Sequence, residues 1–253
     1  MANVSGGALE EAPLTFEATQ DALFGGSVVL FQPPRGTGYR TNVDALLLAA
    51  FAAAGPRTTA LAYDLGAGVG AVGLALLRLG AARQVVFVEV DAAPAAMARR
   101  NLDANGWTDR GEVLRADVRD VARSRRGAAT LVVCNPPYVA PGRGRVPGAQ
   151  ARARSGELAT FVAAARQIAG RKARVCFVYP AQELGVLLTT LAAEGLHAKR
   201  LRFVHASHDA PARIALVEAQ AARAGGLAVL GPLVERESSR GYTAEMQALL
   251  AQG

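Results

Sequence analysis

Residues 62–74 run Ala62-Tyr63-Asp64-Leu65-Gly66-Ala67-Gly68-Val69-Gly70-Ala71-Val72-Gly73-Leu74. An apolar stretch stops in alternating glycines and restarts with helical spacing, which predicts strand, tight turn and helix. Glycines permit left-handed backbone and close approach, and the helix start presents free N–H groups to a ligand. Downstream, Leu131-Val132-Val133-Cys134-Asn135-Pro136-Pro137-Tyr138 is a second apolar run ending in a stiff corner. Ligands of open α/β sheets collect at the carboxyl ends of strands, so both loops are expected to border one crevice.

The remaining chain fits that frame. Leu23 to Phe31 reads as a hairpin with Gly25-Gly26 at its turn, and Leu14 to Leu23 as the start of a helix or an arm. A helix over 43–53 is capped by Thr41 or Asn42 and stopped by Gly55-Pro56. Strands at 61–64, 85–90, 112–115, 130–134 and 174–179 alternate with helices at 70–79, 91–104, 155–169 and 180–194. Such alternation implies a doubly wound, mostly parallel sheet. The pair 197–204 and 214–219 is too closely spaced for a crossover helix, so one edge strand is expected to be antiparallel. Residues 1–56 read as an N-terminal extension and 57–253 as the core domain. Residues 140–155, rich in Arg, Gly and Pro, are expected to form a mobile loop. The apolar run 45–54 is too short to cross a bilayer, and no secretory leader is visible at the N-terminus.

In the first loop, Gly66, Gly68 and Ala71 also match a dinucleotide fingerprint, with Glu89 at a spacing suited to a ribose. Asp64 separates the readings. A carboxylate beside the first glycine repels a pyrophosphate but suits the ammonium and sulfonium of S-adenosylmethionine. Glu89, ending Val85–Val90, can accept both ribose hydroxyls. Asp91 reads as a helix cap. Asp117 can accept from an adenine amino group or cap a helix, with Asp120 as a rival for the cap.

In the second loop, two prolines remove N–H groups and push Asn135 out of the helical region. The Asn135 side-chain oxygen and the Pro136 carbonyl can then take both hydrogens of a planar NH2 group. Tyr138 can stack on an extruded base. An amide suits this task better than a carboxylate, because it cannot pick up a proton and become a donor.

The formal charge of +7 favours a polyanionic partner, although nearly all of it is Arg, which a biased genome also yields. Lys199, Arg200 and Arg202 alternate along one strand and face either solvent or RNA. Cys134 and Cys176 belong to no Cys-x-x-Cys pair and read as core thiols of a reducing compartment. His205 and His208 lack a third ligand, so no metal site is expected.

With both motifs placed, the chain resembles the class I S-adenosylmethionine-dependent N-methyltransferases carrying Asn-Pro-Pro-Tyr. It is similar to the bacterial tRNA1(Val) adenine-N6 methyltransferase family through Gly38–Ala49, Pro211–Leu216, and the tail from Gly231-Pro232-Leu233-Val234 to Gly241-Tyr242-Thr243. The resemblance implies a Rossmann-like, seven-stranded sheet and cytoplasmic methylation of an adenine N6 in structured RNA, most simply tRNA. It implies a cofactor set of Arg40, Thr41, Asp44, Asp64, Gly66, Ala67, Gly68, Gly70, Glu89, Val90, Asp117, Val118 and Asn135. Asn135, Pro136, Pro137 and Tyr138 would hold the target amine. Arg143, Arg145, Arg152, Arg154, Lys199 and Arg200 would face RNA. Alternatives are an rRNA or DNA amino-methyltransferase, a glutamine methyltransferase of the release-factor type, and an RNA-binding scaffold without catalysis.

Overall fold

The computed structural model describes residues 18–34, 41–55, 58–136, 148–237 and 241–251, with 148–156 described as backbone only. Strands β1 (Thr19–Leu23) and β2 (Val28–Gln32) form an antiparallel hairpin. Residues 19–22 are therefore strand rather than helix. The turn takes in Phe24 as well as the two glycines, with φ 51° at Phe24, 62° at Gly25 and 101° at Gly26. Helix α1 (Val43–Ala53) follows, and the Asn42 side chain accepts from the Asp44 N–H, as the cap reading expects.

The core alternates β3 (Thr59–Leu65), α2 (Ala71–Arg78), β4 (Ala82–Glu89), α3 (Ala92–Ala104), β5 (Gly111–Arg115), α4 (Val118–Ser124) and β6 (Ala129–Cys134). Then come α5 (Gly148–Ile168), β7 (Ala169–Pro180), α6 (Leu184–Ala193), β8 (His197–His205) and β9 (Ala212–Gln220). The short β10 (Ala228–Val229) and β11 (Leu233–Val234) precede α7 (Ala244–Ala251). Strand order is β10-β8-β9-β7-β6-β3-β4-β5, with β11 also on β8. Among the described residues the sheet thus has seven long strands and two short additions.

One long strand is reversed, as the spacing predicts, but it is not at the edge. β9 lies between β7 and β8, antiparallel to both. A tight β8–β9 return lets the second strand enter the sheet beside β7 and leaves β8 outside. Helix α5 also begins at Gly148, seven residues before the expected Ser155. The stretch Ala149-Gln150-Ala151-Arg152-Ala153-Arg154 lacks an apolar stripe but consists of strong helix formers, and propensity prevails there.

Two apolar layers enclose the sheet. On one face Ala62, Val133, Cys176 and Val178 pack with α1, α2 and hairpin residues Phe24, Val28 and Leu30. On the other, Tyr63, Leu65, Val132, Cys134 and Phe177 pack with α4, α5 and α6. Burial on both faces explains why these strands read as unbroken apolar runs. The hairpin and α1 share a core with the rest. Both cysteines are buried free thiols, and burial pushes Cys176 up to about 12, which keeps it protonated and inert. No described helix is long and apolar enough to cross a membrane.

Candidate active site

Parallel register brings the two loops to one edge. Leu65 is level with Val88 on one side and Cys134 on the other, so Gly66, Glu89 and Asn135 leave adjacent strands together. The Gly66 and Ala67 N–H groups donate to the Val88 carbonyl at 2.9 and 3.0 Å, folding the glycine loop back over β4. Gly66, Gly68 and Gly70 have φ of 69°, 56° and 88°, the left-handed backbone that the spacing requires. A side chain on Gly68 would stand in open space, so that glycine serves the turn and leaves the loop surface clear.

Glu89 fastens this loop. Its two carboxylate oxygens accept from the Gly68 and Asp91 N–H groups at 2.8 and 2.9 Å, while the side chain is almost wholly buried. Each oxygen keeps a further lone pair for a hydroxyl donor. Beside it Val90 is 60% exposed, a bare apolar side chain suited to one face of a flat ring. Asp91 occupies the N-cap of α3 but makes no capping bond. Asp117 does cap, accepting from the Arg119 N–H at 2.8 Å and from the Arg119 guanidinium at 2.9 and 2.5 Å. That guanidinium, joined by the backbone bond, holds the Asp117 carboxyl down to about 2. Val118 is buried just behind it.

Asp64 is 1% exposed, and its Oδ2 accepts from the Gly73 N–H at 2.9 Å. Gly73 is close-packed rather than conformationally special, since a Cβ there would lie 2.2 Å from the Phe87 ring. Its absence lets α2 settle low enough for its amide to reach Asp64. Burial pushes the Asp64 carboxyl up to about 7; the Gly73 bond opposes this and the Glu89 charge adds to it. The native state therefore holds a proton that the unfolded chain gives up near 3.8. Stability is expected to fall as pH rises between these values and to level off above 7, by an amount on the order of 4 kcal/mol. Asp64→Asn should remove that slope in urea titrations from pH 4 to 8. An unchanged slope would show that another group carries the proton.

Asn135 follows β6, and its Oδ1 is buried with no hydrogen-bond partner among the described residues. Buried side-chain oxygens ordinarily find a donor, so an orphan at a strand end is an open acceptor. Pro136 is buried beside it. Arg40, Pro137, Tyr138, Arg143 and Arg145 lie outside the described residues. Arg152 and Arg154 fall on the α5 backbone, where their side chains are not described.

The Thr41 N–H donates to Gln32 Oε1 at 3.0 Å, tying the α1 entry to the hairpin. Asp44 is buried against Arg213, whose guanidinium also pairs with Glu235; the distances are 2.6 and 2.5 Å. Sequence reading missed this bridge between α1, β9 and the tail. It also missed Asn101, which is fully buried in α3. Its Nδ2 donates to the Phe31 and Val69 carbonyls at 2.9 Å each, and its Oδ1 accepts from the Phe31 N–H at 2.6 Å. Asn105, one turn on, repeats the pattern on Val29. An Asn inside a helix, where it is otherwise unfavourable, with a second four residues on at the helix end, was the available signal.

Lys199 and Arg200, expected to face RNA, both have partners within the protein. Arg200 is turned inward, donating to Glu218 at 2.9 Å and lying over the Phe51 ring at 4.5 Å. Lys199 donates to the carbonyls of Arg223 and Gly225 at 2.6 and 2.7 Å. Both cations are committed within the protein.

A family model for the methyltransferase small domain matches residues 41–151. The tRNA1(Val) (adenine(37)-N6)-methyltransferase of Pectobacterium carotovorum is 27% identical, over 83% of this chain and 85% of that protein. The protein of that name from Cronobacter sakazakii is 32% identical, over 64% of this chain and 67% of its own length. The chain belongs to the tRNA1(Val) adenine-N6 methyltransferase family. Its fold agrees: a predicted O-methyltransferase from Agrobacterium tumefaciens, protein Atu636, superposes with TM-score 0.66 at 25% identity, covering 83% of this chain and 96% of that one. As a member of this family the protein is an S-adenosylmethionine-dependent N-methyltransferase. The residues fit that cofactor, with a clear glycine turn, a carboxylate with free lone pairs, a bare Val90 and an orphan acceptor opposite.

Proposed function

We propose that this chain methylates the exocyclic N6 of an adenine in tRNA, at position 37 of tRNA1(Val) as the names of its relatives describe. The observation that carries the reading is the orphaned Asn135 Oδ1. An exocyclic amine is a donor shaped for it, and occupancy of the site satisfies an oxygen that folding leaves bare. Asn135 Oδ1 and the Pro136 carbonyl would each take one hydrogen of the amine. That draws the nitrogen lone pair out of conjugation with the ring and aims it toward the cofactor side of the crevice.

Bound S-adenosylmethionine supplies a methyl group activated by a positive sulfur. The chain's own contribution is position: Glu89 would hold the ribose, Val90 the adenine face, and Asp64 the ammonium end. Asp117, already committed to Arg119, can serve the adenine amine only through its remaining lone pairs. Orientation of this kind supplies much of the rate without a strong base.

The test offers tRNA, rRNA, DNA and a release factor to the purified protein with labelled cofactor, followed by nucleoside mass spectrometry. N6-methyladenosine confined to tRNA is the expected product. Methylglutamine or N6-methyldeoxyadenosine alone would overturn the reading, and cofactor binding without turnover on any substrate would favour a scaffold.

A further inference from the structure

Lys199 and Arg200 have partners within the protein, whereas another cation stands at the rim with only a ring beside it among the described residues. β11 runs beside β8, with Val234 against His205, and the chain continues past it as the Glu235 and Arg236 N–H groups donate to the His205 and Ala206 carbonyls. A β-bridge pairs Arg236 with Tyr242, and the guanidinium lies over the tyrosine ring with its carbon 4.6 Å from the centroid. Arg236 is exposed and Tyr242 is 38% exposed. The ring is the sole partner of the Arg236 side chain among the described residues.

Register puts this pair on the substrate side. Cys134 is level with Phe177; Pro180, three residues further along β7, pairs with Ile214, and Ile214 with Val204. Arg236 therefore projects beyond the same carboxyl edge that presents Asn135. Four strand spacings separate β6 from β11, about 19 Å across the sheet. A group there meets nucleic acid flanking the reacting base, not the base itself.

We propose that Arg236 and Tyr242 form a contact surface for RNA some nucleotides away from the target adenine. Lying over the ring, the guanidinium can fork onto a phosphate at its edge and offer its outer plane to an unstacked base. Stacking on the ring holds the guanidinium flat before binding, so less side-chain freedom is lost when the phosphate arrives. Single-stranded loops are gripped by such aromatic and guanidinium planes. The inference rests on the RNA-substrate reading above.

The test follows methyl transfer to tRNA by wild type, Arg236→Ala, Arg236→Lys, Tyr242→Ala and Tyr242→Phe across RNA and salt concentrations. Tyr242→Ala should raise the KM for RNA by about 5- to 100-fold, with Tyr242→Phe close to wild type. Arg236→Ala should raise it as well and flatten the log–log salt dependence by about 0.7, the share of one phosphate on a single strand. Arg236→Lys should restore the salt slope but only part of the affinity. Cofactor affinity and the unfolding midpoint should match wild type throughout. RNA KM values within twofold of wild type for both alanine variants would overturn the contact while leaving RNA methylation intact. A parallel loss of cofactor affinity and stability would overturn it in favour of a structural role. A wild type that methylates only DNA or protein would sink both readings.

Discussion

Asn135→Ala is expected to lower the turnover number by about 100-fold or more, while S-adenosylmethionine binds within a few-fold of wild type. Asn135 directly follows β6, and its Oδ1 makes no bond that supports the described fold. Removing it takes away an acceptor that matters once an amine is present, so cofactor binding and stability should be nearly untouched. Asn135→Asp separates two explanations. A carboxylate still accepts hydrogen bonds, so activity should return in part at high pH and fail as the group protonates. Stopped single turnovers with labelled cofactor, beside calorimetric cofactor binding, check both variants. Unimpaired turnover in Asn135→Ala would remove this residue from the mechanism.

The largest stability effect is expected at Glu218. Its Oε2 accepts from Arg174 at 3.2 Å and Arg200 at 2.9 Å, all three side chains being largely buried. The same guanidiniums reach the last turn of α1, Arg174 donating to the Ala52 carbonyl and Arg200 to that of Phe51. One carboxylate therefore balances two cations that cap a helix C-terminus, where positive charge is favoured. Glu218→Ala leaves both guanidiniums buried without a counter-charge and should cost about 3–5 kcal/mol in urea unfolding. Glu218→Gln, which keeps an acceptor but no charge, should fall between. A loss below about 1 kcal/mol would mean that water enters and screens the cluster. The site lies at the far end of α1 from Asp44, so cofactor affinity per folded molecule should be preserved.

This cluster also shows where sequence reading stops. Arg200 and Arg202 alternate on a strand and look like a charged outer face, yet Arg200 is turned to Glu218, which stands opposite on the neighbouring strand. Nothing in the local pattern of 197–204 reveals that neighbour. The position of β9 was hidden for the same reason. Hairpin spacing specifies a reversed pair, but which member enters the sheet depends on pairing with β7, 34 or more residues away in the chain. The early start of α5 was a different kind of miss: an Arg- and Gly-rich composition suggested loop, although Ala and Arg are good helix formers. Asn101 was passed over because a polar residue in a helix is unremarkable until a strand edge lies beside it.

By contrast, the glycine loop, Glu89 and the Asn135 corner were legible, because each states a backbone demand within a few residues. Glycines at alternate positions, an acid at a strand end and a double proline restrict φ or expose amides and carbonyls whatever surrounds them. The sequence alone thus determined the parallel fold, the two loops and the chemistry they suit. Only the tertiary structure decided which charges are paired: it buried Asp64 and pushed its carboxyl up to about 7, spent Arg200 on Glu218, and, among the described residues, left Asn135 Oδ1 without a hydrogen bond and Arg236 with only the Tyr242 ring. The physical reason is range. Backbone constraints act between neighbours in the chain, whereas desolvation and ion pairing act between neighbours in space.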